Sequence, residues 1–317
     1  MHNRLIWDKD GRDWPNRQAS RFVHAGGLTW HVQTAGSGPV LLLVHGTGAS
    51  THSWAGLFPL LARDFTVVAA DMPGHGFTTR PPSSHLSLPG MARAHAALLR
   101  ELGLDPVLAI GHSAGAAILA RMCLDGMITP RTLISLGGAL LPLDGLTQKV
   151  FSPLAKLMAA LPHPPYLFAL RARYTSMVDD LMKGTGSVLA PQTIELYRRL
   201  GSSPQHVGSA IAMMAHWDLT PLRHDLARLG PHLILGSGSN DRTIPPAVAR
   251  KVHAMVPNSE LAIFDGLGHL AHEERPELVL ALIRRAAGVP PRPPGGGGAA
   301  PPPNKKGGGG GRTGGGG

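Results

Sequence analysis

The sequence has a single cysteine, few aromatic residues and no long apolar run. The one cysteine, Cys123, excludes an intramolecular disulfide framework and a metal site built from several cysteines, so we expect a reducing compartment. The longest apolar runs, such as 40–44 and 107–110, are far shorter than the roughly 20 residues needed to span a bilayer. Residues 1–17 lack the apolar segment and cleavage site of a secretory signal. Together these absences predict a cytoplasmic protein without a transmembrane segment.

Acidic residues are scarce relative to basic ones, with 20 Asp and Glu against 30 Lys and Arg and a formal net charge of +10. Part of the excess lies near the end of the chain, at Arg292, Lys305, Lys306 and Arg312, and the rest is scattered. Nucleic-acid binding requires a basic stripe interleaved with aromatic residues, and the sequence contains none. We therefore predict no nucleic-acid partner. The charge suits an anionic small molecule, an anionic membrane surface or an acidic protein better.

Apolar residues are plentiful enough for one full-sized core, because they make up 43% of the 317 residues. We expect a single folded domain over residues 1–287. From residue 288 onward the chain is almost only Gly, Pro and Ala with a few basic residues. Such a composition cannot bury enough apolar surface to offset the entropy of ordering, so a disordered tail is predicted over 288–317.

Short apolar runs alternate with helical patterns, which is typical of an α/β fold with a mostly parallel sheet flanked by helices. An antiparallel hairpin is predicted where Gly26 and Gly27 separate the first two extended runs. Parallel core strands are expected at 40–44, 66–70, 107–110, 132–136, 232–235 and 261–264. After the strand at 132–136, which is the sixth when the hairpin is counted, prolines break apolar helical stretches. This pattern predicts a helical cap at about 138–230 between core segments 20–137 and 231–287.

Residues 111–115 (GHSAG) lie directly between a predicted strand and a helix-like stretch at 114–124. The G-x-S-x-G motif requires this context, because a sharp strand-to-helix turn exposes the serine hydroxyl as a nucleophile. Small residues are needed there, since the helix must pack close to the strand. The alternative is that Ser113 only caps the helix, which serine does well. The preceding strand and both glycines favour the nucleophile, and we call 111–115 the nucleophile turn.

A serine hydroxyl is a poor nucleophile at neutral pH and needs a hydrogen-bonded base. Among the 17 histidines, His269 follows the last predicted strand through a flexible loop that can bring its imidazole over the nucleophile turn. His269 is therefore the predicted base. His272, three residues later, is expected on the first turn of the last helix.

The acid is expected in the loop after the strand at 232–235. Asp241 lies in that loop and would fix the tautomer of the base and stabilise its protonated form. Asp241 could instead be a turn or capping residue paired with Arg242. Asp265 and Asp144 are the alternative acids.

Two backbone amides are expected to form an oxyanion hole. Residues 45–48 (HGTG) follow the strand at 40–44, where a fold with this nucleophile turn supplies one amide, and the residue after the nucleophile supplies the other. We assign the N–H groups of Thr47 and Ala114. The residues expected to shape the site around them are His45, Gly46, Gly48 and His112. The loop could instead bind a phosphate, but it lacks a Walker lysine and the spacing of a dinucleotide fingerprint, so that interpretation is remote. No cofactor and no metal are predicted.

Longer stretches carry a resemblance to a known family. They are 10–17 (DGRDWPNR), 25–33 (AGGLTWHVQ), 45–54 (HGTGASTHSW), 71–78 (DMPGHGFT), 111–118 (GHSAGAAI), 213–219 (MMAHWDL) and 267–274 (LGHLAHEE). The motifs in this order resemble the α/β-hydrolase superfamily, and the stretches are similar to the magnesium-chelatase accessory hydrolases of bacteriochlorophyll biosynthesis. The resemblance runs from about residue 10 to residue 287 and leaves out the tail.

The resemblance implies an α/β-hydrolase fold in a cytoplasmic protein of phototrophic bacteria, acting near the insertion of Mg²⁺ into protoporphyrin IX. That reaction needs ATP-driven subunits, and this chain has no Walker A loop, so it would be an accessory factor. The implied partners are a porphyrin-type molecule and magnesium chelatase subunits. A Met-rich, apolar cap with basic residues could hold a flat apolar macrocycle bearing carboxylates. Those basic residues are Lys149, Lys156, Arg171 and Arg173.

Two classes of function fit these observations. In one, Ser113, His269 and Asp241 hydrolyse an ester or related acyl substrate. In the other, the fold is a non-catalytic module that binds the porphyrin or the chelatase and keeps the three residues as a relic. A general esterase or carbon–carbon bond hydrolase unrelated to pigment is a further alternative.

Overall fold

An eight-stranded sheet forms the centre of the protein in the computed structural model, which describes residues 4–142 and 164–290. The strands are Ser20–Ala25 (β1), Leu28–Ala35 (β2), Val40–Val44 (β3), Thr66–Ala70 (β4), Leu108–His112 (β5), Thr132–Leu136 (β6), His232–Gly238 (β7) and Ser259–Phe264 (β8). Their spatial order is β1-β2-β4-β3-β5-β6-β7-β8. Strand β2 is antiparallel to β1 and β4, and every other neighbouring pair is parallel. The predicted mostly parallel sheet is confirmed.

The first two strands form the predicted antiparallel hairpin. Its turn consists of Gly26 and Gly27, whose φ angles are 58° and 77°. Positive φ at both central residues matches the twist of hairpin strands, and glycine adopts it without the steric cost of a side chain. The glycine pair therefore sets the register, in which Ala25 opposes Leu28.

Helices flank the sheet. They are Trp7–Asp10 (α1), Phe58–Leu61 (α2), Leu88–Leu102 (α3), Ala114–Leu124 (α4), Pro164–Tyr174 (α5), Met177–Gly184 (α6), Pro191–Gly201 (α7), Pro204–Ala215 (α8), Thr220–Asp225 (α9), Pro246–Met255 (α10), Ala271–Glu274 (α11) and Pro276–Ala286 (α12), with short 3₁₀ turns at Arg17–Ala19, Thr51–Trp54, Ser83–Leu86 and Leu226–Arg228. His272 was expected on the last helix, but it lies on the separate helix α11, because Pro276 starts a new helix. No helix in the described parts of the chain is long and apolar enough to cross a membrane.

Two apolar layers form the core, one on each face of the sheet. Strand β3 illustrates the division, because Leu42 and Val44 pack into one layer and Leu41 and Leu43 into the other. Neighbouring residues of a strand point to opposite faces, so a strand buried on both faces reads as a continuous apolar run. Helices α3, α4 and α10 contribute to the first layer, and α2 and α12 to the second.

Between β6 and β7, the described residues 164–230 form helices α5 to α9 and no strand, as the predicted cap requires. The cap has a small apolar cluster of its own, which includes Ala172, Val178 and Tyr197 and also contacts Ala49 in the loop after β3. This contact places the cap against the carboxyl ends of the strands, where ligands bind in open α/β sheets. The boundaries of core, cap and tail stay a prediction, and cap residues 143–163 and the tail beyond 290 lie outside the described residues.

Candidate active site

Ser113 forms a one-residue turn between β5 and α4. Its φ of 51° and ψ of −117° lie outside the regions that L-amino acids favour, so the backbone is strained there. Hydrogen bonds hold the turn, since the Ser113 N–H donates to Leu136 O at 3.0 Å and the Ser113 carbonyl accepts from Ala139 N at 3.1 Å. The Ser113 side chain makes no capping hydrogen bond to α4. The geometry therefore departs from that of an ordinary helix cap.

The two glycines of the nucleophile turn are required by close packing. A Cβ atom on Gly111 would lie 2.4 Å from the Ala116 nitrogen, and one on Gly115 would lie 2.2 Å from the Val44 carbonyl oxygen. Both distances are shorter than any ordinary contact, so a larger residue would push α4 away from the sheet. The glycine spacing in the sequence thus reflects how tightly α4 sits on β3 and β5.

His269 and Asp241 are joined by a hydrogen bond of 2.8 Å between Nδ1 and Oδ2. They lie in the loops after β8 and β7, which we call the base loop (265–270) and the acid loop (239–245), and are only 7% and 4% exposed. The other Asp241 oxygen, Oδ1, accepts the N–H groups of Thr243 and Ile244, each at 2.8 Å. A carboxylate held in this way accepts a hydrogen bond from Nδ1–H, which leaves His269 Nε2 as the nitrogen able to take another proton.

Gly137, directly after β6, makes room for this pair. A Cβ atom there would lie 2.9 Å from His269 Nδ1 and 3.1 Å from Asp241 Oδ2, and its φ is 50°. Its N–H donates to the Gly236 carbonyl at 2.8 Å, so the residue is fixed beside the acid loop. Our sequence reasoning missed Gly137, whose only local signal is the glycine pair that ends β6.

The acid and base loops are also bonded to each other. Ser239 Oγ donates to Asp265 Oδ1 at 3.1 Å, and the Asn240 N–H donates to the Leu267 carbonyl at 2.8 Å. Asp265, an alternative acid, is therefore turned toward Ser239 at the surface. Among the described residues no ion pair joins Asp241 to Arg242, and the other alternative, Asp144, lies outside them.

His112, the residue before Ser113, contacts His269. The Nε2 atom of His112 lies 3.1 Å from the His269 carbonyl oxygen, and the two imidazole rings are 4.6 Å apart. In residues 4–142 and 164–290, no hydrogen bond joins the Ser113 hydroxyl to the His269 imidazole. Such bonds are commonly long in the absence of substrate and tighten when it binds. The structure therefore pairs Asp241 with His269 and places Ser113 on the adjoining turn.

The predicted oxyanion amides belong to Thr47 and Ala114. Ala114 begins α4, where the first N–H groups have no acceptor within the helix. Neither amide donates a hydrogen bond to another residue of the described chain. A Cβ atom on Gly46 would lie only 3.1 Å from Ser113 Cβ, so the Thr47 loop runs beside the nucleophile. Met213 of the cap covers this loop and accepts the Thr47 hydroxyl at 3.6 Å.

Two buried histidines brace the same loop. His45 donates through Nδ1 to the Gly46 carbonyl at 2.8 Å and accepts the Met72 N–H at Nε2 at 2.9 Å. His206 of the cap, which our sequence reasoning missed, lies 3.0 Å from the Gly48 carbonyl through Nε2. Burial lowers the pKa of each imidazole to about 4. Both are therefore neutral near pH 7 and act as fixed hydrogen-bonding groups.

A second polar cluster lies behind the base. His272 Nε2 is 2.9 Å from Ser53 Oγ, and Ser53 and the Tyr197 hydroxyl both contact Glu273 Oε1, the latter at 2.6 Å. Burial lowers the pKa of His272 to about 3 and raises that of Glu273 to about 7. Because Tyr197 belongs to α7, this cluster ties the cap to the core.

The cap residues that the sequence suggested for a macrocycle are dispersed. Met213 is buried, Met214 and Tyr174 are exposed, and Phe168 and Met177 pack inside the cap. Arg171 and Arg173 are exposed on α5, and Lys149 and Lys156 lie outside the described residues. The described part of the cap thus leaves the macrocycle-binding hypothesis untested.

Known proteins share this architecture. Residues 39–276 match the family model described as the alpha/beta hydrolase fold. The chain is 35% identical to the magnesium-chelatase 30 kDa subunit of Rhodobacter capsulatus, over 82% of this chain and 92% of that protein. It is 25% identical to the 2-hydroxy-6-oxo-2,4-heptadienoate hydrolase of Pseudomonas putida, over 84% and 96% of the two chains. An alpha/beta hydrolase fold protein from Burkholderia ambifaria superposes with a TM-score of 0.71 at 23% identity, covering 84% of this chain and 97% of that one. The predicted fold class and family resemblance are confirmed.

Proposed function

The chain belongs to the α/β-hydrolase family, and on that premise we propose that it is a serine hydrolase acting on an ester or related acyl substrate. The observation that carries the proposal is the 2.8 Å hydrogen bond between buried His269 and Asp241, directly beside the strained Ser113 turn. A buried carboxylate that accepts a hydrogen bond from Nδ1–H holds the imidazole in the tautomer whose Nε2 can act as a base.

In the proposed reaction, His269 Nε2 takes the Ser113 proton while Ser113 Oγ bonds to the acyl carbon. The carbonyl oxygen becomes an oxyanion and is stabilised by the free N–H groups of Thr47 and Ala114. Collapse of this intermediate breaks the bond to the leaving group, which receives the proton from His269. A water molecule then attacks the acyl-enzyme by the same steps and releases Ser113.

The biological setting of the proposal is the magnesium chelatase step of bacteriochlorophyll synthesis. It is supported by the 35% identity to a protein named as a magnesium-chelatase subunit. We propose a porphyrin-type molecule as substrate or ligand, chelatase subunits as partners and a cytoplasmic location. The chain would act as an accessory factor, since its sequence has no Walker A loop to drive the chelatase.

A fluorophosphonate probe tests the catalytic proposal. The wild-type protein should be labelled on Ser113, and Ser113→Ala should lose labelling and about 10⁴-fold or more of kcat/KM on p-nitrophenyl esters. Ser20→Ala is the matched control, because Ser20 Oγ lies 3.0 Å from His31 Nε2 but is not on the nucleophile turn. Persistent labelling of Ser113→Ala, or an unlabelled but folded wild type, would contradict the proposal.

The non-catalytic module remains the second candidate, favoured by the missing hydrogen bond between Ser113 and His269. Complementation separates the two in a phototrophic host that lacks this protein. Full bacteriochlorophyll with Ser113→Ala and saturable porphyrin binding by the purified protein would support the module, whereas accumulated precursors would support catalysis. The named activity of the Pseudomonas putida relative keeps a hydrolase unrelated to pigment as a further outcome. Ester turnover without a pigment phenotype would indicate that outcome.

A further inference from the structure

A short segment of the cap, residues 185–188, lies across both the acid loop and the base loop, and we call it the strap. The Thr185 carbonyl oxygen accepts two N–H groups, from Arg242 at 3.2 Å and from His269 at 3.3 Å. Ser187 Oγ accepts the Leu270 N–H at 2.9 Å. The strap therefore holds the backbone amides on both sides of the His269 α-carbon, and these amides set the direction in which the imidazole leaves the chain.

Glycine allows the strap and the two loops to touch through their backbones. A Cβ atom on Gly186, whose φ is 82°, would lie 2.0 Å from the Asn240 carbonyl oxygen of the acid loop. One on Gly268 of the base loop would lie 2.3 Å from the Gly186 carbonyl carbon. No side chain separates the three segments at this point, so a displacement of the strap is transmitted directly to the residues that carry Asp241 and His269.

Glu274 on α11 fastens the strap to the base loop. Its Oε1 accepts the Gly268 N–H at 2.8 Å, and its Oε2 accepts the Val188 N–H at 3.0 Å. The same carboxylate thus bonds to one residue of the base loop and one of the cap. Without the strap, the buried Leu270 N–H would also lose its acceptor, Ser187 Oγ.

We infer that the strap is a positioning element for the proposed base, and that Ser187 and Glu274 align His269 with Asp241 through the backbone. The inference rests on the proposed function, because it concerns how the proposed base is held. The strap thus couples the position of the cap to the alignment of His269.

Ser187→Ala tests the inference against a matched control, Ser202→Ala. Ser202 is also in the cap, but among the described residues its hydroxyl bonds only to Arg198 O of the adjoining helix α7. We expect Ser187→Ala to lower kcat roughly 10- to 100-fold with little change in KM, because small misplacements of a catalytic group are costly. Ser202→Ala should change neither quantity.

A proton NMR readout separates this inference from the proposed function. The Nδ1 proton shared by His269 and Asp241 should give a low-field resonance that Asp241→Asn removes, whether or not the protein turns over an ester. Ser187→Ala should shift or broaden that resonance, and Ser202→Ala should not. If Ser187→Ala fails to fold, Glu274→Gln and Glu274→Ala replace it, with the Gln variant, which keeps one acceptor oxygen, expected to retain more of the signal. A wild-type resonance in Ser187→Ala and in both Glu274 variants would overturn the inference.

Discussion

Two histidine–aspartate pairs in this protein have nearly the same geometry and different surroundings. His269 and Asp241 are 2.8 Å apart, and His31 and Asp71 are 2.9 Å apart, in each case from Nδ1 to Oδ2. Beyond the His31 ring, Ser20 Oγ lies 3.0 Å from Nε2, which completes a serine–histidine–aspartate chain of hydrogen bonds. A hydrogen bond between a histidine and an aspartate therefore does not by itself distinguish a catalytic pair from a structural one.

The surroundings do distinguish them. Both His31 and Asp71 are fully buried, and the His31 ring lies 4.7 Å from Trp7 and 5.4 Å from Phe77. Asp71 also accepts the Thr51 N–H at 2.7 Å, so it links the loops that follow β3 and β4. Its pKa would rise on burial, but the neighbouring His31 holds it well below its usual range. This pair braces the fold.

His269 differs because it adjoins a strained turn near two amides, those of Thr47 and Ala114, that donate to no other described residue. Ser20 lies at the start of regular strand β1, whereas Ser113 has a left-handed φ of 51° and adjoins the unbonded N–H of Ala114. A nucleophile needs a place for the oxyanion as well as a base. The proposed oxyanion amides therefore mark the candidate catalytic pair more clearly than the hydrogen-bonded histidine does.

The largest expected effect separates the pairs by activity. Asp241→Asn should lower kcat by about 10⁴-fold while the protein stays folded, because the amide stabilises the wrong tautomer of His269. The measurement is kcat on a p-nitrophenyl ester together with a thermal melt. Asp71→Asn serves as the reciprocal variant, and its folded fraction should keep wild-type kcat. If both variants lost the same factor of kcat per folded molecule, His269–Asp241 would not be the catalytic pair and His31–Asp71 the structural one.

The next effect separates the pairs by stability. Asp71→Asn should lower the free energy of unfolding by about 3–5 kcal/mol, because it breaks a fully buried pair and weakens acceptors for backbone amides. Asp241→Asn should cost less, since Asn retains an oxygen for the Thr243 and Ile244 N–H groups. Urea denaturation of both variants gives the comparison. A larger loss in Asp241→Asn would show that the roles are reversed.

Local patterns in the sequence predicted one pair and missed the other. Ser113, His269 and Asp241 each follow a predicted strand, so the rule that ligands bind at the carboxyl ends of parallel strands brought them together. His31 lies within a strand and its partner is 40 residues away, so only the packing of β2 against β4 reveals their contact. The strap was missed for the same reason, because its contacts depend on how the cap folds back over the sheet.

A smaller effect should follow when the space beside His269 is filled. Gly137→Ala places a methyl group 2.9 Å from His269 Nδ1, whereas the control Gly103→Ala meets no atom within 4 Å. Both residues have positive φ, at 50° and 63°, so each substitution should cost about 1 kcal/mol of stability. Only Gly137→Ala should also lower kcat, by roughly 10- to 100-fold. Equal kcat in the two variants would mean that the base tolerates displacement.

A third histidine–carboxyl pair gives the smallest effect and differs from the other two in its protonation state. His272 Nε2 and Glu273 Oε1 are 3.8 Å apart, beyond hydrogen-bonding distance. Burial raises the pKa of Glu273 to about 7 from a usual value of 4.5, against the lowering effect of the Ser53 and Tyr197 hydroxyls. Between those two values the folded protein holds a proton that the unfolded chain has released, so its stability falls as pH rises toward 7.

Glu273→Gln should remove this dependence, because the amide imitates the protonated carboxyl at every pH. Relative to wild type, the variant should gain stability between about pH 5 and pH 8, measured as the difference in melting temperature at the two values. The buried neutral histidines, such as His272, contribute the opposite slope at lower pH, but they are common to both proteins and cancel in the difference. Glu277→Gln is the control, since Arg275 lowers the pKa of the exposed Glu277 and no such gain is expected. A variant that follows the wild-type pH dependence would mean that Glu273 is ionised in the folded protein and paired in the manner of Asp71.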